Sequence, residues 1–241
     1  TTPSSGPGGT ASRSARRTVA LAVVCLIFLL SGAAALIYQV VWTRSLSLVF
    51  GGSHLAVTTV LAVFMGGLAL GGYTIGSRAH HSSRLLRLYG ILELGVAASA
   101  LVFVALMHLY PAIYVPASRL AGTSALSLSA VRVAFAVFAL IVPATLMGGT
   151  LPVVSSFVSA RAGDLGGRLS LLYACNTFGA VVGAGAAGFF LLRYYSVTEA
   201  VAIAVGINVV LGVLAILLND PVREALAPAA PGGGGSVSAV L

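Results

Sequence analysis

Six long, nearly uncharged apolar stretches constrain this chain more than any other feature. The first, Thr18–Trp42, runs for about 25 residues without a charge, and a helix crosses a bilayer core in about 20. Five more follow at about 55–76, 88–109, 130–158, 169–192 and 198–218. In hydrocarbon every backbone polar group must be bonded within the protein, which leaves helices or a closed barrel. Barrel strands would be shorter and would alternate polar with apolar residues. The expected fold is therefore all-α and integral to the membrane: a six-helix transmembrane bundle over residues 18–218. Only 7% of the residues are charged against 59% hydrophobic, too few to cover the surface of a soluble domain of this size. Arginines followed by Ser31–Ala35 would also suit a cleaved secretory signal, but the apolar run continues past them to Trp42.

The net charge is +8, and all 13 basic residues are arginine. In a soluble protein that balance would suggest nucleic acid. Here the arginines lie between spans, where they anchor and orient helices, so no nucleic acid is expected as partner; the lipid bilayer is. Arg13, Arg16, Arg17, Arg78, Arg84, Arg87, Arg161, Arg168 and Arg223 fall on one side, and Arg44, Arg119, Arg132 and Arg193 on the other. The excess of positive charge places both termini in the cytoplasm. Residues 1–17 read as a disordered basic tail, and 219–241 as a Pro/Gly-rich linker or tail. Its Gly232–Gly235 run follows no strand and precedes no helix, which argues against a nucleotide loop.

Within the spans, small residues mark where backbones can approach. Gly67 and Gly71, Gly72 and Gly76, and Gly179 and Gly183 are each four apart, which sets each pair on one helix face. Span five carries small residues on nearly every face and is expected at the bundle centre. Pro143, Gly148, Gly149 and Pro152 are expected to kink or break span four.

Glu93 is the one carboxylate well inside a span, an expensive placement and the first candidate for chemistry. Asn176 enters span five to a similar depth, and a Glu93–Asn176 hydrogen bond would satisfy both groups. Gln39, a turn deeper than Arg44, is a candidate cavity residue. Trp42 and the outer tyrosines suit an interfacial belt. Cys25 and Cys175 both fall inside spans, which argues against a disulfide framework. His80 and His81 are adjacent and share no helix face, and no metal site, cofactor or catalytic motif is expected.

Several stretches together resemble one family. They are Ser31–Arg44 with the following Ser47–Ser53, the glycine-rich end of span two, Pro143–Pro152, and Gly167–Ala180 continuing through Gly188–Leu192. The chain over roughly 25–218 resembles the membrane domain of bacterial spermidine synthase-like membrane proteins, the fused major-facilitator/spermidine synthase family. Tyr38-Gln39-Val40-Val41-Trp42 and the Tyr173–Ala180 element are its more specific parts. The resemblance implies a multi-pass domain of the bacterial cytoplasmic (inner) membrane that anchors or regulates a cytoplasmic aminopropyltransferase-like enzyme domain. The motifs of that enzyme domain are not in this sequence, so no catalytic residue carries over. The alternatives are a transporter-like six-helix unit acting as a homodimer, with Glu93, Asn176 and Gln39 along its path, and a structural subunit of a larger membrane complex.

Overall fold

The computed structural model describes residues 7–51, 54–79, 82, 84–121, 124–159 and 165–226. The histidine pair, Arg161 and the glycine run near the C-terminus lie outside these residues. Among the described residues the chain is helical throughout, with no strand. The helices are α1 (Pro7–Phe50), α2 (His54–Ala79), α3 (Leu85–Ala121), α4 (Ala125–Ser159), α5 (Leu165–Ala186), α6 (Val197–Leu217) and α7 (Asn219–Leu226). A π turn, Ala187–Leu191, and one last helical turn, Leu192–Tyr194, extend α5. Six of these helices are long and apolar enough to cross a bilayer.

The helices outrun the expected spans. α1 begins at Pro7 rather than Thr18, so much of the segment read as a disordered tail is helical. It ends where Gly51 takes a positive φ of 76°, a conformation open to glycine. α3 continues through Pro111 and Pro116, past the end of the expected span at about residue 109. Each proline removes one backbone donor, but Tyr110 stacks on Tyr114 at 5.1 Å and meets Phe135 of α4 edge-on at 4.9 Å. That packing holds the helix together. α4 likewise runs without interruption through Pro143, Gly148, Gly149 and Pro152, so no helix break is present. The segment is braced from outside: Gly148 lies on the backbone of Leu68, Gly149 on the Ile75 side chain, and Pro152 against Gly76, all on α2.

The segment after α6 is not all linker. α7 buries Val222 and Leu226 in a cluster with Val24 of α1 and Leu86 of α3. Asn219 Oδ1 accepts a hydrogen bond from the Arg87 N–H at 3.2 Å, capping the first turn of α3 from another helix. The start of α6 is capped locally. Ser196 and Glu199 exchange side-chain and backbone hydrogen bonds in a capping box.

The first two spans do not form a closely packed hairpin. α2 packs most extensively on α4, and α1 on α5; α3 lies against α4 and α6, and α6 also against α1. This pattern maps onto itself when α1, α2 and α3 are exchanged with α4, α5 and α6. The correspondence reaches individual residues. Gly71 sits on the Thr145 carbonyl, and Gly183 sits on the Ala33 carbonyl. One offset carries Gly71 to Gly183 and Ala33 to Thr145. Gly67 against Ala144 and Gly179 against the Leu29 carbonyl add contacts one turn away in each pair. Helices α1–α6 thus divide into two three-helix halves with matching contacts. With an odd number of helices in each half, helices that alternate in direction run oppositely in the two, the pattern of an inverted repeat.

α5 is peripheral, not central. Of its glycines, Gly179 and Gly183 meet α1, whereas Gly166 and Gly185 face open space. Tyr173, Phe178, Val181 and Phe189 point outward and are exposed. Their apolar side chains need no protein partner where the solvent is lipid.

A Cβ at Gly71 or Gly179 would fall on a backbone carbonyl of the neighbouring helix, whereas Gly66 faces open space. Gly71→Leu and Gly179→Leu should each destabilise the fold by about 1–3 kcal/mol, the usual cost of overpacking. Gly66→Leu should be near neutral. Thermal unfolding in one detergent, followed by size-exclusion fluorescence, checks the ranking.

Candidate functional site

All six of the long apolar helices contribute to one cavity of about 480 Å³. Its lining is shared between the two halves. The offset that relates Gly71 to Gly183 also relates Ala35 to Met147, Leu36 to Gly148, Phe64 to Asn176 and Val96 to Asn208. All eight of these residues line the cavity. The walls are largely apolar, with polar groups from Ser31, Glu93, Thr150, Ser155, Asn176 and Asn208.

Glu93 departs from the symmetry, since the same offset brings it to Val205. It rises from α3 and is 1% exposed. Its Oε1 accepts a hydrogen bond from Ser31 Oγ of α1 at 2.6 Å. Its Oε2 is buried and has no partner. The Tyr89 hydroxyl, one turn earlier on α3, lies near Glu93 and Ser31 but finds no partner in hydrogen-bonding geometry. Tyr89 is held in place by Phe28 of α1, edge-on at 6.4 Å.

Asn208 of α6 is 3% exposed, and its Oδ1 is also buried without a partner. Pro152 has no N–H to offer the carbonyl of Gly148, and both residues line the cavity. Thr150, in contrast, is satisfied within its own helix, donating to the Met147 carbonyl at 2.7 Å. The cavity therefore has an excess of acceptors. A carboxylate at this depth needs donors, a proton or a positive charge; Ser31 supplies one donor, and the Tyr89 hydroxyl stands beside it.

The site residues expected from sequence separate into three groups. Glu93 and Asn176 line the same cavity but do not bond to each other. Asn176 Nδ2 instead donates to the Phe28 carbonyl at 3.1 Å, because Gly32 lets α1 come against the backbone of Asn176. The expected Glu93–Asn176 pair is thus replaced by a Ser31–Glu93 pair, with the hydroxyl one helix nearer. Gln39 is half-buried and stands outside the cavity lining. Trp42 is no interfacial anchor. It is fully buried, stacked on Tyr38 at 5.1 Å and tilted on Phe103 at 5.4 Å, in the upper core beyond the cavity. Of the helix-packing glycines, Gly72 also lines the cavity, and Gly67, Gly71, Gly76, Gly179 and Gly183 lie at helix contacts. Cys25 and Cys175 are free thiols facing each other across the α1–α5 boundary.

Ser31, Asn208 and Tyr89 are the site residues that sequence reasoning passed over. Asn208 carried a signal, as a lone amide in the middle of the otherwise apolar Ala204–Leu211 stretch. Among the described residues no cluster of three or more His, Cys, Asp or Glu is arranged to hold a metal. No family model, curated protein or solved structure matches the chain.

A buried ion is a poor contributor to stability, and removing its charge relieves desolvation. Glu93→Gln keeps an acceptor for Ser31 and should leave the protein as stable as, or about 1 kcal/mol more stable than, the parent. Ser31→Ala leaves the carboxylate without its donor and should cost about 1–3 kcal/mol. Thermal unfolding of the two variants reports the difference. A Glu93→Gln protein less stable than Ser31→Ala would mark the carboxylate as a structural element.

Proposed function

We propose that this chain is a membrane-embedded binding domain of transporter-like architecture. It takes a small molecule with an apolar body and one positive charge. The observation that carries the reading is Glu93, a buried carboxylate with one hydrogen-bonded oxygen, in the lining of a cavity built by all six long apolar helices. The carboxylate supplies the counter-charge and Asn208 Oδ1 a second acceptor. Ala35, Leu36, Phe64 and Val96 supply apolar walls. Two inverted repeats meeting at a polar site near the midplane are a recurrent arrangement in secondary transporters. The arginine bias supports a setting in the bacterial inner membrane with both termini in the cytoplasm.

A second reading is the membrane domain of a spermidine synthase-like membrane protein, anchoring or regulating a cytoplasmic enzyme domain. What favours it is the location of the two stretches that carry the resemblance. Tyr38–Trp42 lies on α1 and Tyr173–Ala180 on α5, the two helices of one closely packed pair. The polyamine chemistry of that family makes spermidine the ligand to compare. A single carboxylate suits a monocation better than a chain of three ammonium groups, so the geometry favours the first.

One titration compares them. The purified chain in lipid nanodiscs is titrated calorimetrically with n-butylammonium to n-octylammonium, with the alcohols of the same lengths, and with spermidine. The amines should bind saturably and the alcohols at least about tenfold more weakly, with the difference abolished in Glu93→Gln. Equal binding of amines and alcohols would remove the charge-recognition reading. Spermidine binding tighter than every monoamine would favour the second reading over the first.

A further inference from the structure

A second cavity, of about 390 Å³, opens on the outside of the bundle where α3 gives way to α4. Its floor is apolar, made by Ile113 and Ala117 of α3 with Ala134 and Phe138 of α4. Phe138 is 70% exposed. At the edge of this groove the Arg132 guanidinium lies over the Tyr114 ring, 5.5 Å from its centre, and approaches the Tyr110 hydroxyl. Arg132 Nε and the Tyr110 hydroxyl are both buried, and outside their approach to each other neither meets a hydrogen-bond partner.

Among the described residues no acid is placed against this arginine. The chain has five acids. Glu93 lies in the central cavity, Glu199 is bonded to Ser196, and Asp220 accepts from Asn219. Glu224 belongs to α7 beyond the sixth span, and Asp164 lies outside the described residues. An anion from outside the chain would meet the half-buried Arg132 guanidinium at the groove's edge.

We infer that this groove binds one anionic phospholipid, with its phosphate on Arg132 and an acyl chain along Ile113, Ala117, Ala134 and Phe138. Three features select this occupant. A guanidinium matches phosphate oxygens with paired donors. Tyrosines are favoured at the headgroup level, where one end of the ring is wet and the other apolar. A groove that is apolar along its length and cationic at one end complements a molecule with the same division. A free inorganic anion would use the arginine and leave the apolar floor bare. A zwitterionic lipid brings its own cation and leaves Arg132 in excess. This site is separate from the central cavity and does not depend on the ligand proposed there.

Native mass spectrometry of the purified full chain, released from detergent with defined lipid added, tests the inference. The probes are phosphatidylglycerol, phosphatidylcholine, diacylglycerol and glycerol phosphate. Phosphatidylglycerol should be retained in preference to the other three. Arg132→Gln should weaken its binding by about tenfold, the loss of a charge-assisted contact. Ala134→Trp, which fills the groove and leaves the arginine in place, should do the same. Arg193→Gln should change nothing. Should Arg132→Gln not fold, Arg132→Lys takes its place, keeping the charge without the paired donors, with a smaller loss expected. Unchanged retention in the Arg132 and Ala134 variants would overturn the site. Glycerol phosphate bound as tightly as the lipid would reduce it to a bare anion site. Diacylglycerol bound as tightly would show that the phosphate is not recognised.

Discussion

Backbone contact between helices is the interaction on which this structure depends. Lipid is as apolar as a leucine side chain, so burial from water does not drive two spans together; close van der Waals packing does. Here the closest approaches fall in two helix pairs, α1 with α5 and α2 with α4. In each pair glycines four residues apart rest on the partner's backbone. Larger residues at these points would separate the helices and lengthen every contact between them. The two pairs are also equivalents under the repeat, so one packing solution serves twice.

The cavity is a consequence of that arrangement. Where α1 meets α5 and α2 meets α4, the helices leave no room between them. The space that remains lies between the pairs, with α3 and α6 as its back wall. Most of its lining obeys the repeat, Ala35 answering Met147 and Phe64 answering Asn176. The polar chemistry does not. Glu93 is answered by Val205, and Ser31, its hydroxyl partner, by Pro143. A symmetrical scaffold thus holds an asymmetrical site, as expected when packing sets the frame and function alters single positions within it.

Much of the architecture was legible from hydropathy alone. The number of long apolar helices, their order and the prominence of Glu93 follow from an apolar chain with few charges. Helix lengths did not, because the proline rules are local. Pro111, Pro116, Pro143 and Pro152 each argue for an interruption, and tertiary contacts from Phe135 or from α2 override them. The position of α5 was misjudged for a related reason. Small residues show that some face packs closely, but not how many faces do. The Glu93–Asn176 pairing failed because depth along a span fixes height and not direction; the hydroxyl of Ser31 is at a similar height and closer. Trp42 shows the same limit from the apolar side. Composition assigns a tryptophan near a span end to the interface, but α1 continues to Phe50 and Trp42 falls in the core.

The short helix α7 gives the bundle a latch. Asn219 holds the first turn of α3, and Val222 and Leu226 sit in the cluster that also holds Leu86 and Tyr89. Glu93 stands on the same helix, six residues above the capped Arg87 N–H, a rise of about 9 Å. Lifting α7 would therefore strip an acceptor from the base of α3 and loosen the aromatic ring beside the carboxylate in one movement. The segment that follows the last span is thus packed on, and hydrogen-bonded to, the helix carrying the only deeply buried charge among the described residues.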